Sequence, residues 1–243
     1  MPKINVYLPD DLADAVREAG LPVSTICQRA LEQAVQRLAT IRQAVLSDLD
    51  REQLAARLPS FTPRAVAVLT LAADRAKDSG AATVTTGDLL HGILTEGHNL
   101  ALQVLDAMDV APGSIAAPGT PEPAAGGDGL RFSRPAGVVL EAAVGEAVGL
   151  GHNYIGCEHL LIGLAAEPDG AAGDLLRARG ADGKAVRRAV AAALAGYVHL
   201  RANTAANTAA PGPAAATANL LTAVRAELAP LVQRIEQLEA RLT

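Results

Sequence analysis

The spacing of hydrophobic residues changes once along the chain, close to the N-terminus. From Lys3 to Leu8 polar and apolar residues alternate, so that Ile4, Val6 and Leu8 share one face. This period of two predicts a half-buried strand. Beyond Pro9 the apolar residues recur every three or four positions, which is typical of amphipathic helices. The pattern therefore predicts a mainly all-α protein with a single short strand.

Two helices are predicted to follow this strand, in a segment that covers residues 1–47. Asp10 and Asp11 open the first helix, and Gly20-Leu21-Pro22 ends it. Ser24 is the expected N-cap of the second helix, which should continue as a connecting helix to residue 57. A lone strand leaves its backbone groups unpaired, so we expect a homodimer in which it pairs with the same strand of a second copy.

The N-terminal segment resembles a ribbon-helix-helix DNA-binding domain in the runs INVYLPDDLADAV and GLPVSTICQRALEQAV. The resemblance implies that paired strands read operator DNA in the major groove and that the second helix binds a phosphate at its N-terminus. The DNA-binding positions would be Lys3, Asn5, Tyr7, Ser24 and Thr25. The alternative is a ribbon that only dimerises, because acidic residues balance the basic ones across residues 1–43.

An internal repeat dominates the rest of the chain. Residues 61–94 and 132–165 align without a gap when shifted by 71 positions, and Phe61 then meets Phe132. Each copy predicts an opening helix capped by Thr62 or Ser133, a second helix with a Leu-Leu-x-Gly core, and a third helix. Only the second copy predicts a fourth. The predicted domain spans residues 58–196, divided into a first repeat at 58–110, a linker at 111–130 and a second repeat at 131–196.

The second copy carries a specific signature, GLGHNYIGCEHLLIGLAAEPDGAAGDLLRARG. It closely resembles the N-terminal domain of the ClpC class of AAA+ unfoldases, whose repeats carry a GHNYIGTEH-type motif. The resemblance covers about residues 60–196, although the first copy reads GAATVTTGD at the motif. It implies a Clp N-terminal double four-helix repeat that docks substrates, adaptors and some cyclic peptide antibiotics. It also implies that the chain is not an enzyme and needs no cofactor.

The same resemblance implies a phosphoarginine site in each repeat, formed by the signature Glu and the hydroxyl residue of the opening. The second copy keeps Glu158 and Ser133, whereas the first keeps Thr62 but has Gly87 in place of the Glu. One site is therefore expected to survive. The alternative is that Glu158 only stabilises a helix N-terminus through the helix dipole.

A second implied site is an apolar face on the opening helices, which binds cyclic peptides in relatives. The matching residues are Phe61, Val66, Leu69, Phe132, Leu140 and Glu141. Because the chain has only two Phe, their shared repeat position is suggestive of a ligand face. The alternative is that both rings simply pack their helices onto the core.

Composition and motif content narrow the functional classes to which the chain could belong. The net charge of −5 gives no global basic footprint, and Cys27 and Cys157 lie too far apart in sequence to suggest a disulfide framework. We expect a cytoplasmic protein without signal peptide or membrane span. His152, Cys157, Glu158 and His159 form one cluster instead of paired metal motifs, so no metal site is predicted. A phosphate-binding G-x-x-x-x-G-K-[ST] loop is missing, which predicts an unfoldase receptor without its motor.

The C-terminus is predicted as a linker at 197–218 followed by an amphipathic helix at 219–243. Its apolar stripe has the 3-4 spacing of a coiled coil, interrupted by Pro230: Leu221, Val224, Leu228, Leu231, Ile235, Leu238 and Leu242. The helix either strengthens the dimer or docks on the body.

These features favour a ligand-responsive autorepressor, with a DNA-binding head and a Clp-type sensor domain. The alternative is a decoy or adaptor that sequesters ClpC ligands or modulates the Clp protease without binding DNA. An antitoxin is a third possibility, because ribbon-helix-helix heads are common in that class.

Overall fold

A computed structural model describes residues 4–119 and 129–208 of the chain. Three predictions fall outside these ranges: the side chain of Lys3, the middle of the 111–130 linker, and the C-terminal helix at 219–243. The chain divides into two compact units, residues 1–191 and 192–243. All other site residues predicted from the sequence lie in the first unit.

The N-terminal segment forms two helices, α1 (Asp10–Glu18) and α2 (Val23–Leu46). Helix α2 begins after Pro22, so the prediction that Ser24 caps it is wrong; Ser24 lies inside the first turn. Residues 4–9 are exposed and form no strand in the single chain. The predicted strand needs a second copy to pair with, and it stays a prediction.

The prediction of a continuous helix to residue 57 is wrong. Ser47 adopts an extended conformation with φ −93° and ψ 161°, which ends α2. The backbone then turns toward the second repeat, where the Leu49 N–H donates to the Leu130 carbonyl at 2.7 Å. Asp50 accepts from the Glu52 N–H, and a short helix α3 (Leu54–Arg57) comes next. Polar side chains that bond nearby backbone groups interrupt the helix here.

The two repeats have the predicted order of helices. The first consists of α4 (Pro63–Asp78), β1 (Thr83–Val84), α5 (Thr86–Glu96) and α6 (Leu100–Ala107), followed by a 3₁₀ turn at Pro112–Ser114. The second consists of β2 (Arg131–Phe132), α7 (Arg134–Gly149), α8 (Cys157–Ala166), α9 (Ala171–Ala178) and α10 (Gly183–Thr208). The predicted caps are confirmed, because the hydroxyls of Thr62 and Ser133 each accept a backbone N–H three residues later.

Helix α10 is longer than predicted and enters the segment that was expected to be a linker. Residues 195–208 contain four alanines and no proline, so no proline ends the helix before Pro211.

The core of the domain lies between the opening helix and the second helix of each repeat. Gly92 and Gly163 make this packing possible: a Cβ at Gly92 would collide with the Val68 carbonyl oxygen, and one at Gly163 would lie 2.7 Å from that of Val139. The backbones of α4 and α5 therefore lie in direct contact, as do those of α7 and α8. Across the described ranges, we find no helix with the length and hydropathy that a bilayer crossing needs.

Candidate functional site

Each repeat pairs its opening segment with the signature segment of the other repeat. Phe61 forms a parallel bridge with Ile155, and the Thr62 N–H donates to the Ile155 carbonyl at 2.9 Å. In the mirror arrangement, Phe132 pairs with Val84 in the β1–β2 ladder. The two signatures therefore lie at the junctions between the repeats.

This crossed pairing changes the composition predicted for the phosphoarginine site. Thr62, from the first repeat, lies beside the backbone that leads to Glu158 in the second. The Ser133 N–H instead donates to the Val84 carbonyl at 2.9 Å, three residues before Gly87. Strand pairing across the repeats therefore places Thr62 next to the backbone that leads to Glu158, and the association of Ser133 with Glu158 stays a prediction.

Glu158 is the second residue of α8 and is only 5% exposed. Burial raises the pKa of its carboxyl, while a backbone N–H bond acts in the opposite direction. The carboxylate folds back over Gly156, where a Cβ would collide with both of its oxygens. Within the part of the chain that the structure describes, its only salt-bridge-type neighbour is Nδ1 of His159, at 3.5 Å.

That contact is not an ion pair at neutral pH. Nδ1 of His159 accepts from the Gly156 N–H at 2.9 Å, so the neutral ring carries its proton on Nε2, which lies 2.9 Å from Nδ1 of His152. Burial, followed by the charge of His152, lowers the pKa of His159 to about 4. Glu158 is thus a nearly buried carboxyl whose neighbour supplies no positive charge.

The histidines order the signature loop through contacts between their rings. His152 stacks on Tyr154 with ring centroids 5.0 Å apart, and His159 meets both rings edge-on. No group of three or more metal-type ligands occurs among the residues that the structure describes.

In the first repeat the equivalent space is filled. A Cβ at Gly87 would lie 2.6 Å from the Pro118 carbonyl oxygen, so the connector occupies the place of the Glu side chain. Arg75 fixes this arrangement by donating to the carbonyls of Gly87 at 3.0 Å and Pro118 at 2.9 Å, with Asp88 3.6 Å away. Sequence reasoning missed Arg75, although its repeat partner carries the opposite charge, as Glu146.

Most of the predicted peptide face is internal. Phe61 and Phe132 are each 7% exposed, and Leu69 and Leu140 are buried completely or nearly so. These four side chains pack in the core, which for the two Phe rings is the alternative that the sequence offered. Val66 and Glu141 remain partly exposed.

The accessible apolar surface lies elsewhere on α7, in a groove that the sequence did not predict. It has a volume of about 530 Å³ between α2 and α7, and its apolar lining is Ala34, Val35, Leu38, Val138, Ala142, Val144, Gly145 and Val148. At its edge, Glu141 accepts from Nε and Nη2 of Arg42 at 3.1 and 3.0 Å. The sequence signal that could have indicated this groove is the presence of valines on the outer face of α7, a helix whose other face is buried.

The predicted DNA-binding residues that the structure describes are all exposed. Asn5 and Tyr7 lie in the segment before α1, and Ser24 and Thr25 lie in the first turn of α2. Their exposure is compatible with contact to a partner molecule, and the structure contains no second copy to test the ribbon.

Comparison with curated proteins finds relatives in the Clp chaperones. The chain is 37% identical over 135 residues to the chloroplastic chaperone protein ClpC2 of Oryza sativa subsp. japonica, covering 54% of this chain and 15% of that protein. It is equally similar to the Clp protease ATP-binding subunit ClpA homolog of Porphyra purpurea, with 54% and 16% covered. The chain thus corresponds to less than a fifth of the length of these relatives.

Two solved structures also match. The N-terminal domain of the Clp-protease-associated chaperone ClpD from Arabidopsis thaliana aligns with 26% identity and a TM-score of 0.40, covering 56% of this chain and 95% of that one. The Hsp104 N-terminal domain from Candida albicans aligns with 17% identity and a TM-score of 0.44, covering 54% and 88%. The Clp repeat (R) N-terminal domain matches residues 19–108 and 131–228 of this chain. On that match, over most of its length, the protein belongs to the Clp repeat N-terminal domain family.

Proposed function

We propose that this chain is a non-enzymatic Clp accessory protein that binds peptide-type ligands of the Clp system. Adaptor or substrate segments that carry a phosphoarginine would bind at Glu158, and apolar peptides, including cyclic peptide antibiotics, would bind on α7. The observation that most strongly supports this proposal is Glu158 itself. Its carboxyl is only 5% exposed and lacks a cationic partner among the described residues.

Electrostatics favours a ligand with an arginine-type cation. A buried carboxylate without a partner is costly, and a guanidinium can neutralise it through two parallel hydrogen bonds. Helix α8 begins one residue earlier, at Cys157, and the positive end of its dipole favours an anion such as a phosphoryl group. A ligand with both charges therefore matches this position.

The two repeats support one such site in each chain. The first-repeat position has Gly87 instead of Glu, and the Pro118 carbonyl occupies the space above it. Arg75 already fills the role of the guanidinium there by binding backbone carbonyls. A ligand would have to displace the connector to enter.

Isothermal titration with free phosphoarginine tests this site. We expect Glu158→Gln to weaken binding about tenfold or more, because the substitution removes a charge-assisted hydrogen bond but keeps the shape. Asp106→Asn is the matched control, since Asp106 is an exposed carboxylate on α6. Wild-type affinity in Glu158→Gln would contradict the assignment.

Operator binding as a homodimer is a second candidate function, favoured by the exposed apolar N-terminus. Ile4 and Val6 are 79% and 62% exposed, and α1 buries no residue in the single chain. Such surfaces are typical of an interface. A second copy would cover them and turn Asn5 and Tyr7 toward DNA.

Two measurements test this candidate. Light scattering should show a dimer that Val6→Asp disrupts and that Val138→Asp, a control at an exposed valine on α7, leaves intact. A gel shift on the DNA upstream of the gene should be lost in Lys3→Ala/Asn5→Ala. If wild type gives no sequence-specific shift at physiological salt, the decoy alternative replaces the repressor.

A further inference from the structure

Helix α2 covers the α7 surface but is poorly anchored there. Of its 24 residues only Ile41 is buried, whereas α7 buries seven of its 16. We name residues 34–46 of α2 the strap. We propose that the strap is a displaceable internal cover of the α7 surface, and that an apolar peptide ligand binds there by expelling it. This inference rests on the proposed function and adds its regulation.

Polar contacts join the strap to two elements of the second repeat. Arg42 makes two hydrogen bonds to one carboxylate oxygen of Glu141, on α7. Nη1 of Arg37 donates to the His152 carbonyl at 3.2 Å, in the signature loop. The strap therefore spans the α7 surface and the loop that leads to Glu158.

The shape of α7 is matched to the strap. A Cβ at Gly137 would lie 2.7 Å from Cγ1 of Val45, so the strap contacts bare helix backbone there. The equivalent residue of the first repeat is Val66, which is partly exposed. A side chain at 137 would push α2 away, which makes Gly137 specific to the covered repeat.

The strap also has the features of an element that opens easily. Elements that bury few residues open at low free energy, before the core does. Both ends of the strap are solvated, since Val35 is 66% exposed and Leu46, its last residue, is 78% exposed. The groove beside it, next to Val138 and Val148, lets an apolar ligand make its first contacts before the strap leaves.

Displacement of the strap would be felt at the N-terminus of the chain. Helix α2 is continuous from Val23 to Leu46, so the strap and the exposed first turn of the helix, with Ser24 and Thr25, belong to one element. A ligand that binds only the strap-free state would favour a different position of that turn. This difference in affinity is what coupling between two sites requires.

A reversible crosslink gives a direct test in the full chain. The Cβ position at Gly137 lies 3.8 Å from Cβ of Val45, which is the mean Cβ separation in disulfides. In the variant Val45→Cys/Gly137→Cys, oxidation should fix the strap on α7. The probe is a cyclic peptide that binds ClpC N-terminal domains, and Val45→Cys alone controls for side reactions of Cys27 and Cys157.

We expect the oxidised variant to bind the probe at least about tenfold more weakly than the reduced variant, because the competent state is no longer populated. Hydrogen exchange in residues 34–46 should rise when the probe binds wild type and stay unchanged in the oxidised variant. Arg42→Glu, which repels Glu141, should bind the probe more tightly than wild type.

The outcomes separate the two proposals. Equal affinity in the oxidised and reduced states would overturn the strap as a cover while peptide binding stood. If wild type, the reduced variant and Arg42→Glu all fail to bind the probe, peptide binding on α7 fails, and the regulatory role of the strap fails with it.

Discussion

The two repeats use the same helix position, with opposite charge, to hold the segment that comes after their third helix. In the first repeat Arg75 donates to the carbonyls of the connector, including that of Pro118. In the second the equivalent residue is Glu146, which accepts from Arg187 of α10 at 2.6 Å. In the first repeat the connector therefore takes the place of the fourth helix. It also fills the space beside Gly87 that corresponds to the Glu158 side chain of the second repeat.

The signatures differ in a second way, within a shared capping geometry. Asp88 accepts from the Thr85 N–H at 2.8 Å, and His159 accepts from the Gly156 N–H at 2.9 Å. Both residues thus perform the same structural task at the helix start. Glu158 accepts a hydrogen bond from its own backbone N–H and not from the N-cap residue, and its first-repeat counterpart is Gly87. The difference between the repeats separates the residue that builds the loop from the one available to a ligand.

The largest losses of stability should come from core substitutions and should be equal in the two repeats, because the two cores are equivalent. Leu90 and Leu161 occupy the same repeat position, and both are fully buried. Leu90→Ala and Leu161→Ala should each lower the free energy of unfolding by about 2–5 kcal/mol, measured by urea denaturation. A difference larger than the scatter of such substitutions would show that one repeat is a minor contributor to the core.

Restoring the missing Glu should damage the first repeat. Gly87→Glu places a charged side chain against the Pro118 carbonyl and should lower the free energy of unfolding by about 3 kcal/mol. Gly145→Glu is the matched control, because a Cβ at Gly145 meets no atom within 4 Å. A well-tolerated Gly87→Glu that gained phosphoarginine binding would show that the connector does not close the site.

Acidification should weaken the second repeat through His159, whose counterpart in the first is Asp88. The folded pKa of about 4 lies below the ordinary value of 6.5, so only the unfolded chain takes up a proton in this window. Stability contributed by the neutral ring is present above pH 6.5 and is lost as pH falls toward 4, by on the order of 2 kcal/mol.

Glu158 opposes this trend, because its pKa is raised and its protonated form favours the folded state. The measurement is therefore the pH dependence of unfolding for Glu158→Gln against Glu158→Gln/His159→Gln. The first variant should lose stability between pH 6.5 and 4 relative to the second. Parallel curves would mean that His159 titrates alike in both states.

Substitutions of Arg75 and Glu146, which occupy equivalent repeat positions with opposite charge, should give the smallest losses of stability. Arg75→Ala leaves the carbonyls of Gly87 and Pro118 without a donor and should cost about 1–2 kcal/mol. Glu146→Ala removes a more exposed pair and should cost less than about 1 kcal/mol. Hydrogen exchange in residues 115–118 should rise only in Arg75→Ala. Unchanged hydrogen exchange in residues 115–118 would contradict the role of Arg75 in holding the connector.

The sequence was sufficient for the repeat architecture because its signals are local. The Thr62 and Ser133 caps predict where the opening helices begin, and the Leu-Leu-x-Gly core predicts the second helix of each repeat. Gly92 and Gly163 were identified as equivalent positions of the repeat, and the structure adds their close-packing role. By contrast, the Leu49–Leu130 backbone contact, which follows the end of α2, has no local signature.

The site could be predicted residue by residue but not in its arrangement. Glu158 was identified from the motif, whereas its crossed association with the Thr62 segment depends on pairing between segments about 90 residues apart. Burial of Phe61 and Leu69 could not be decided from the sequence, because an apolar residue near or on an opening helix fits both a core and a ligand face. Residues that act through long-range contacts, such as Arg75 and Arg42, were missed for the same reason.

The central claim is that one ligand site survives in each chain, at Glu158, while the other is closed by the connector. Calorimetric titration of wild type with phosphoarginine tests it most directly through its stoichiometry. We expect one bound phosphoarginine per chain in wild type, and an affinity at least about tenfold lower in Glu158→Gln. Two bound per chain, or wild-type affinity in Glu158→Gln, would contradict it.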